Sequence, residues 1–292
     1  MNVTHTPLVI AFVSLLFSCG AASSSGSSSS GSVSSSSVIS SSSLSNTNSS
    51  SAPTRPALDE VDPSLFSYIA HRGYHDDTNP ENSLAAFRAA TDLGLAIETD
   101  VHLSKDKHLV ISHDSSLPGF GNIESNTLSD IQNGYSLSNG EKIPSFADMI
   151  KEIPDEKMIV LELKVPDGSE GAPIAKALME ETKDLDLAKK MVVISFNLEA
   201  LNALSSSSFN RGLLASGDYN LDIFKAKSKE SITTSFCEFY SLAYTLLNSE
   251  ESVSYRSQGG KITGWTFMSQ SSVDSFKTTC DGYTFEGFLP SI

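Results

Sequence analysis

Eight short apolar runs recur between residues 67 and 286, most of them separated by helical periods, and this alternation constrains the fold of the 292-residue chain most tightly. The runs are SYIAH (67–71), LAIETDV (95–101), MIVLELK (158–164), MVVISF (191–196), RGLLAS (211–216), FCEFY (236–240), KITGWTF (261–267) and DGYTFE (281–286). Between them lie NSLAAFRAATDLG, closed by Gly94, then SFADMIKEI, PIAKALMEETKDL and LEALNAL, with apolar residues three and four apart. Eight strands with intervening helices over ~230 residues predict an α/β fold, a (β/α)8 barrel, with a doubly wound sheet as the alternative. Residues 115–143 break the alternation and read as an insertion after the second strand's hairpin, DVHLSKDKHLVISHD.

The alternation leaves out the N-terminal fifth. PLVIAFVSLLFSC is shorter than the ~20 residues that span a bilayer and suits the core of a signal peptide. It ends in Leu16-Phe17-Ser18-Cys19-Gly20, which resembles a bacterial lipobox with Cys19 as the lipidated residue. Phe17 is bulkier than usual there and no Lys or Arg precedes the run, so an ordinary secretory signal cleaved nearby is the alternative. Residues 20–56 are low-complexity Ser, too poor in apolar surface to offset ordering entropy, and read as a flexible tether of roughly 30–35 Å. The barrel is expected at residues 57–292, with the protein secreted to the periplasm or cell surface. No Asp, Glu, Lys or Arg precedes Arg55, so the formal charge of −15 falls on the globular part and argues against nucleic-acid binding. Cys237 falls in the sixth run and Cys280 just before the eighth, two strands apart at roughly 9–10 Å. That exceeds the ~7 Å Cα limit of a disulfide, and both are expected as buried thiols.

Function is concentrated in one segment. Five of the six histidines, His71, His75, His102, His108 and His113, fall between residues 71 and 113, beside many carboxylates. Active sites of (β/α)8 barrels lie at the C-terminal strand ends. Residues i and i+2 of a strand share a face, so Glu98 with Asp100, and Glu162 with Lys164, point into the barrel mouth. Three convergent carboxylates repel unless a cation joins them, and oxygen-only ligation selects Mg²⁺ or Ca²⁺. A divalent cation and Arg72, flanked by His71 and His113, form a plan for displacement at phosphorus with one imidazole as base and one as acid. His75 follows the first strand in a loop, whereas His102 and His108 read as solvated hairpin residues. Ser195 lacks a G-x-S-x-G elbow and reads as a site-lining hydroxyl.

These residues resemble the glycerophosphodiester phosphodiesterase family. The matching pieces are HRG, PENS (80–83), IETDVHLSKD (97–106), HD (113–114), LELK (161–164), SFN (195–197), GWTF (264–267) and DGYTFE, in the family's order. TLSDIQNG followed by IPSF resembles its small inserted domain. The resemblance implies a TIM barrel that hydrolyses glycerophosphodiesters to sn-glycerol 3-phosphate and an alcohol. It implies His71 and His113 as the catalytic pair, with His71 as base and His113 as acid. Glu98, Asp100 and Glu162 are the implied ligands of one divalent cation, Arg72 and Lys164 the phosphate contacts. Trp265 would pack on the glycerol or the leaving group, and Ser195 and Asn197 stand at the fourth strand end. Glu81 and Asn82 resemble the family's acidic–amide pair behind Arg72; as plain sequence they read as a helix start capped by Asn79 with Pro80 at its first position. Phe285-Glu286 replaces the family's usual Thr-Asp and is expected to alter only the rim of the site. Lys107 stands where a turn glycine is usual, and residues 218–260 match poorly. Two readings compete: phospholipase D-like cleavage of lysophospholipids, and a cell-surface binding protein on the same fold.

Overall fold

In the computed structural model, which describes residues 55–230 and 236–291, the expected strands close into a barrel. The run ending at Cys19 and the Ser-rich stretch to residue 54 lie outside the described residues. Eight parallel strands form the wall: β1 (Tyr68–Ala70), β2 (Ala96–Leu103), β6 (Ile159–Leu163), β7 (Met191–Ser195), β8 (Asn210–Ala215), β9 (Phe239–Ala243), β10 (Ile262–Phe267) and β11 (Gly282–Phe285). Each pairs with the next, and β1 pairs with both β2 and β11 to complete the ring.

Period-2 alternation divides the apolar residues into two layers. Ile97, Ile159, Leu161, Met191, Val193 and Leu213 face outward beneath the helices. These include α1 (Leu84–Asp92), α4 (Ala172–Thr182) and α5 (Leu198–Ala203). Ile69, Ala96, Met158, Val160, Val192, Ile194, Leu214 and Phe239 fill the barrel itself, with Val61 and Leu65 of the entering segment closing its floor. The interior is tight at Gly212, where a Cβ would come 2.5 Å from the Phe239 ring. Only glycine fits there.

After β2 the chain doubles back as β3 (Leu109–Ile111), antiparallel to the outer half of β2. Lys107 makes this turn with a φ of 70°, taking the left-handed conformation that glycine would adopt more cheaply. The insertion continues through a short hairpin, β4 (Ser116–Leu117) and β5 (Gly121–Asn122), to α2 (Leu128–Gly134). Val110, Leu117, Ile123, Ile131 and Ile143 give it a small core of its own. It returns to the barrel at α3 (Phe146–Glu152), whose N-terminus carries a reciprocal Ser145–Asp148 capping box.

Strand bounds shift from the sequence reading by up to three residues, and two differences have a visible cause. The sixth strand starts at Phe239 rather than 236, because Glu238 is drawn to the barrel floor by Arg55 and Arg211. Arg55 and Pro56, assigned to the tether by composition, pack against that floor: Arg55 Nε donates to the Phe209 carbonyl and Asn210 Nδ2 to the Pro56 carbonyl. Cys237 and Cys280 are buried thiols.

Candidate active site

The register of β2 against β6 sets Asp100 directly opposite Glu162, with Glu98 one inward step below. Carboxyl oxygens of Glu98, Asp100 and Glu162 lie within 4.8 Å of one another, and all three residues are buried. Burial, then the charge of Asp100, pushes Glu98 up to about 7 and Glu162 to about 8. Asp100 also suffers burial, but Lys164 and the Asn82 amide outweigh it and hold that carboxyl below its ordinary range. Lys164 Nζ reaches Asp100 at 3.2 Å and Glu162 at 3.0 Å, a single ammonium among three carboxyls. Such a set, oxygen-only and short of positive charge, fits a hard divalent cation held by Glu98, Asp100 and Glu162.

The HRG turn places the groups around this centre. Arg72 (φ 54°) and Gly73 (φ 80°) are both left-handed, and a Cβ on Gly73 would lie 2.8 Å from Ala86 of α1. The Arg72 amide donates to Glu98, and its guanidinium reaches Glu81 at 2.8 Å. Asn82 is buried, donates to Asp100 Oδ2 at 2.9 Å and accepts from the Thr99 hydroxyl. Its φ of 56° excludes it from the helix, which begins at Leu84 with Ser83 as cap. The helix-start reading of Asn79 and Pro80 is therefore wrong. The Asn79 amide instead closes a turn on Asp76.

His71 and His113 line one cleft of ≈ 420 Å³ with Arg72, Glu98, Glu162, Lys164 and Trp265. Pairing of Ala70 with Phe285 brings His71 beside Glu286, and Nδ1 of His71 donates to the Glu286 carboxylate at 2.5 Å. Burial disfavours the imidazolium, but that hydrogen bond and the Glu98 charge outweigh it and hold His71 above its ordinary range. The same bond holds Glu286 down at about 2. Glu286 thus reaches the centre of the site through His71, beyond the rim role expected for it. His113 is shifted the other way, by burial and then by Lys164.

His102, expected as solvated, is buried. One ring nitrogen meets Glu124 of the insertion at 2.9 Å and the other the His113 carbonyl at 3.0 Å, which ties the hairpin to the His113 backbone. His75 sits 3.6 Å from Glu286, and His108 is exposed near Glu181. Ser195 and Asn197 stand at the strand end with their polar atoms committed locally. Ser195 Oγ donates to the Leu163 carbonyl, and Asn197 Oδ1 caps α5 through the Ala200 amide. Among the described residues, Trp265 Nε1 is a buried donor without a hydrogen-bond partner, and Arg72 Nε has only Asp100 Oδ2 at 3.6 Å.

Fold and site together define a (β/α)8-barrel protein with a buried acidic triad and two imidazoles at its C-terminal mouth. The family model of the glycerophosphoryl diester phosphodiesterase family matches residues 71–282, and the chain belongs to that family. A glycerophosphodiester phosphodiesterase of Caldanaerobacter subterraneus subsp. tengcongensis is 34% identical over 142 residues, 44% of this chain and 57% of that protein. The chain thus matches just over half the length of this relative. The crystal structure of a glycerophosphodiester phosphodiesterase from Thermotoga maritima superposes with a TM-score of 0.62 at 25% identity, over 75% of this chain and 93% of the other. An Oleispira antarctica phosphodiesterase, solved with the product sn-glycerol-3-phosphate, has the same fold (TM-score 0.63, 23% identity, 75% and 92% covered).

Proposed function

We propose that the protein is a metal-dependent glycerophosphodiester phosphodiesterase, releasing sn-glycerol 3-phosphate and an alcohol. One observation carries the reading: Glu98 and Glu162 of a buried carboxylate triad line the same cleft as two imidazoles and two cationic side chains. Bound Mg²⁺ or Ca²⁺ supplies Lewis-acid polarisation of the phosphoryl group and neutralises its charge. Arg72 and Lys164 hold the remaining oxygens. His71 takes a proton at Nε2 from the attacking oxygen while Glu286 fixes its tautomer through Nδ1. A phosphorus–oxygen bond forms to the attacking water oxygen as the one to the alcohol breaks, and His113 donates the proton that the departing oxygen needs. The opposite shifts agree with these roles, since Glu286 makes His71 the stronger base and Lys164 makes His113 the stronger acid. Assay of the purified protein on glycerophosphocholine should give sn-glycerol 3-phosphate, with chelator abolishing turnover and Mg²⁺ or Ca²⁺ restoring it. Turnover unchanged by chelator overturns the metal mechanism, and hydrolysis of lysophospholipids alone moves the assignment to a phospholipase D.

We further infer a secreted protein anchored by lipid at Cys19, with residues 20–54 as tether, a reading supported by the lipobox-like run and the Ser-rich stretch. Metabolic labelling with an alkyne fatty acid should mark the wild type and not Cys19→Ala. Equal labelling excludes Cys19 as the anchor.

A further inference from the structure

The cleft has two unlike walls. One is charged and belongs to the chemistry above. The other is formed by Phe196, Tyr219 and Trp265, with Leu214 and Ile194 beneath and Asp218 beside them. Phe196 meets Trp265 edge-on, with centroids 5.9 Å apart and planes at 85°, and meets Tyr219 at 5.7 Å and 62°. The three rings therefore turn a corner rather than stack.

The corner is held in place. Asn220, left-handed at φ 59°, donates from Nδ2 to both the Phe196 and the Leu214 carbonyls at 2.8 Å. Ser216 Oγ accepts from the amides of Asp218 and Tyr219. Tyr219 is nonetheless 59% exposed, a large aromatic surface kept open at the cleft. Asp218 is exposed as well, and its carboxylate makes no ion pair among the described residues.

Three aromatic rings dominate this corner, and an anion meets Asp218. A cation that cannot donate hydrogen bonds suits it, because aromatic rings and a nearby carboxylate stabilise positive charge without directional donors. We propose that Phe196, Tyr219, Trp265 and Asp218 form a head-group subsite for a quaternary ammonium, so that choline-type alcohols are the preferred leaving groups. The proposal rests on the phosphodiesterase reading for its turnover test.

The test compares glycerophosphocholine with the diester of 3,3-dimethylbutanol, in which carbon replaces the ammonium nitrogen at equal shape. The cationic diester should be favoured roughly 5–30-fold in kcat/KM. Tyr219→Leu and Asp218→Asn should each shrink that preference. Equal kcat/KM on the two diesters overturns the subsite, as does a preference that survives the Tyr219→Leu/Asp218→Asn double variant. A binding measurement separates this from failure of the enzyme reading. Trp265 is the only tryptophan, so tetramethylammonium should alter its fluorescence saturably in the full chain and weakly in Tyr219→Leu. Absence of hydrolysis with that saturable change retained removes the activity and keeps the subsite. Identical titrations in wild type and variant remove the subsite.

Discussion

The barrel buries charge at both of its ends, and the two clusters are built on opposite principles. At the floor, Glu238 lies between two guanidiniums. Its oxygens accept from Arg211 N, Nε and Nη2 and from Arg55 Nη1, while Arg211 Nη1 and the rest of the Arg55 fork reach backbone carbonyls. Positive charge exceeds negative, and every guanidinium nitrogen has an acceptor. At the mouth, three carboxyls share Lys164 and the edge of Arg72, two of them pushed up to about 7 and 8, with buried donors left over. A satisfied network stabilises one structure; an unsatisfied one waits for a ligand.

The sharpest division should appear at the imidazoles. His71→Ala is expected to lose on the order of 10²–10⁴-fold in kcat on alkyl and nitrophenyl diesters alike, since the attacking oxygen must be deprotonated in either case. His113→Ala should lose a similar factor on the alkyl diester and far less on the nitrophenyl one, whose leaving group hardly needs a proton. Rescue of His71→Ala instead reverses the roles.

Next in size is a direct exchange between the ends. Asp100→Asn should cost roughly 10²–10³-fold in activity and weaken Mg²⁺ binding, several kcal/mol of lost charge stabilisation, with the melting temperature in chelator little changed. Glu238→Gln should do the converse. It leaves Arg211, 5% exposed, without its anion and should cost about 3 kcal/mol in urea unfolding while cation affinity stays put. If Glu238→Gln also weakens the cation, the two ends are coupled and the contrast fails.

A smaller effect belongs to Glu286→Gln. The side chain of Glu286 is 25% exposed, so the loss in kcat should be about tenfold, between that of a surface pair and the ~10⁴-fold of a buried acid behind a catalytic histidine. Loss of the carboxylate lowers the His71 pKa. The acid limb of kcat/KM, where the base must shed its proton, should therefore move to lower pH. A limb that stays in place while kcat falls makes Glu286 a packing residue.

The last effect is on stability without cation. Glu162 titrates at 4.5 unfolded and about 8 folded, so the native state binds the extra proton between those values. Stability from this group therefore falls as pH rises from about 4.5 to about 8. Thermal melts in chelator should show that decline flattened in Glu162→Gln and removed by saturating Mg²⁺. A decline as steep in Glu162→Gln as in wild type assigns it to other groups.

The mouth was largely legible in the sequence, and the floor was not. Strand alternation is a local property, and it put Glu98, Asp100, Glu162 and Lys164 on interior faces before any fold was known. His71 and Arg72 at the end of the first strand, and Trp265 in the seventh, followed from the same rule together with the family's ordered motifs. Asn82 was misread as a helix start because a left-handed residue leaves no mark in hydrophobic periodicity. His102 was misread as solvated because its partners, Glu124 and the His113 carbonyl, come from an insertion whose return path the alternation does not predict.

The sequence by itself determined the barrel, the convergent carboxylates and the imidazole pair, since all of these follow from period-2 strands, their ends and short motifs. Tertiary structure alone decided what stands behind those groups. Glu286 meets His71 across 215 residues because ring closure pairs β1 with β11. Arg55 meets Glu238 across 183 because the entering chain plugs the floor. Tyr219 joins Phe196 and Trp265 because three different strand ends converge at one mouth. Side-chain period is written locally along a strand, whereas these partnerships depend on the register at which distant strands meet.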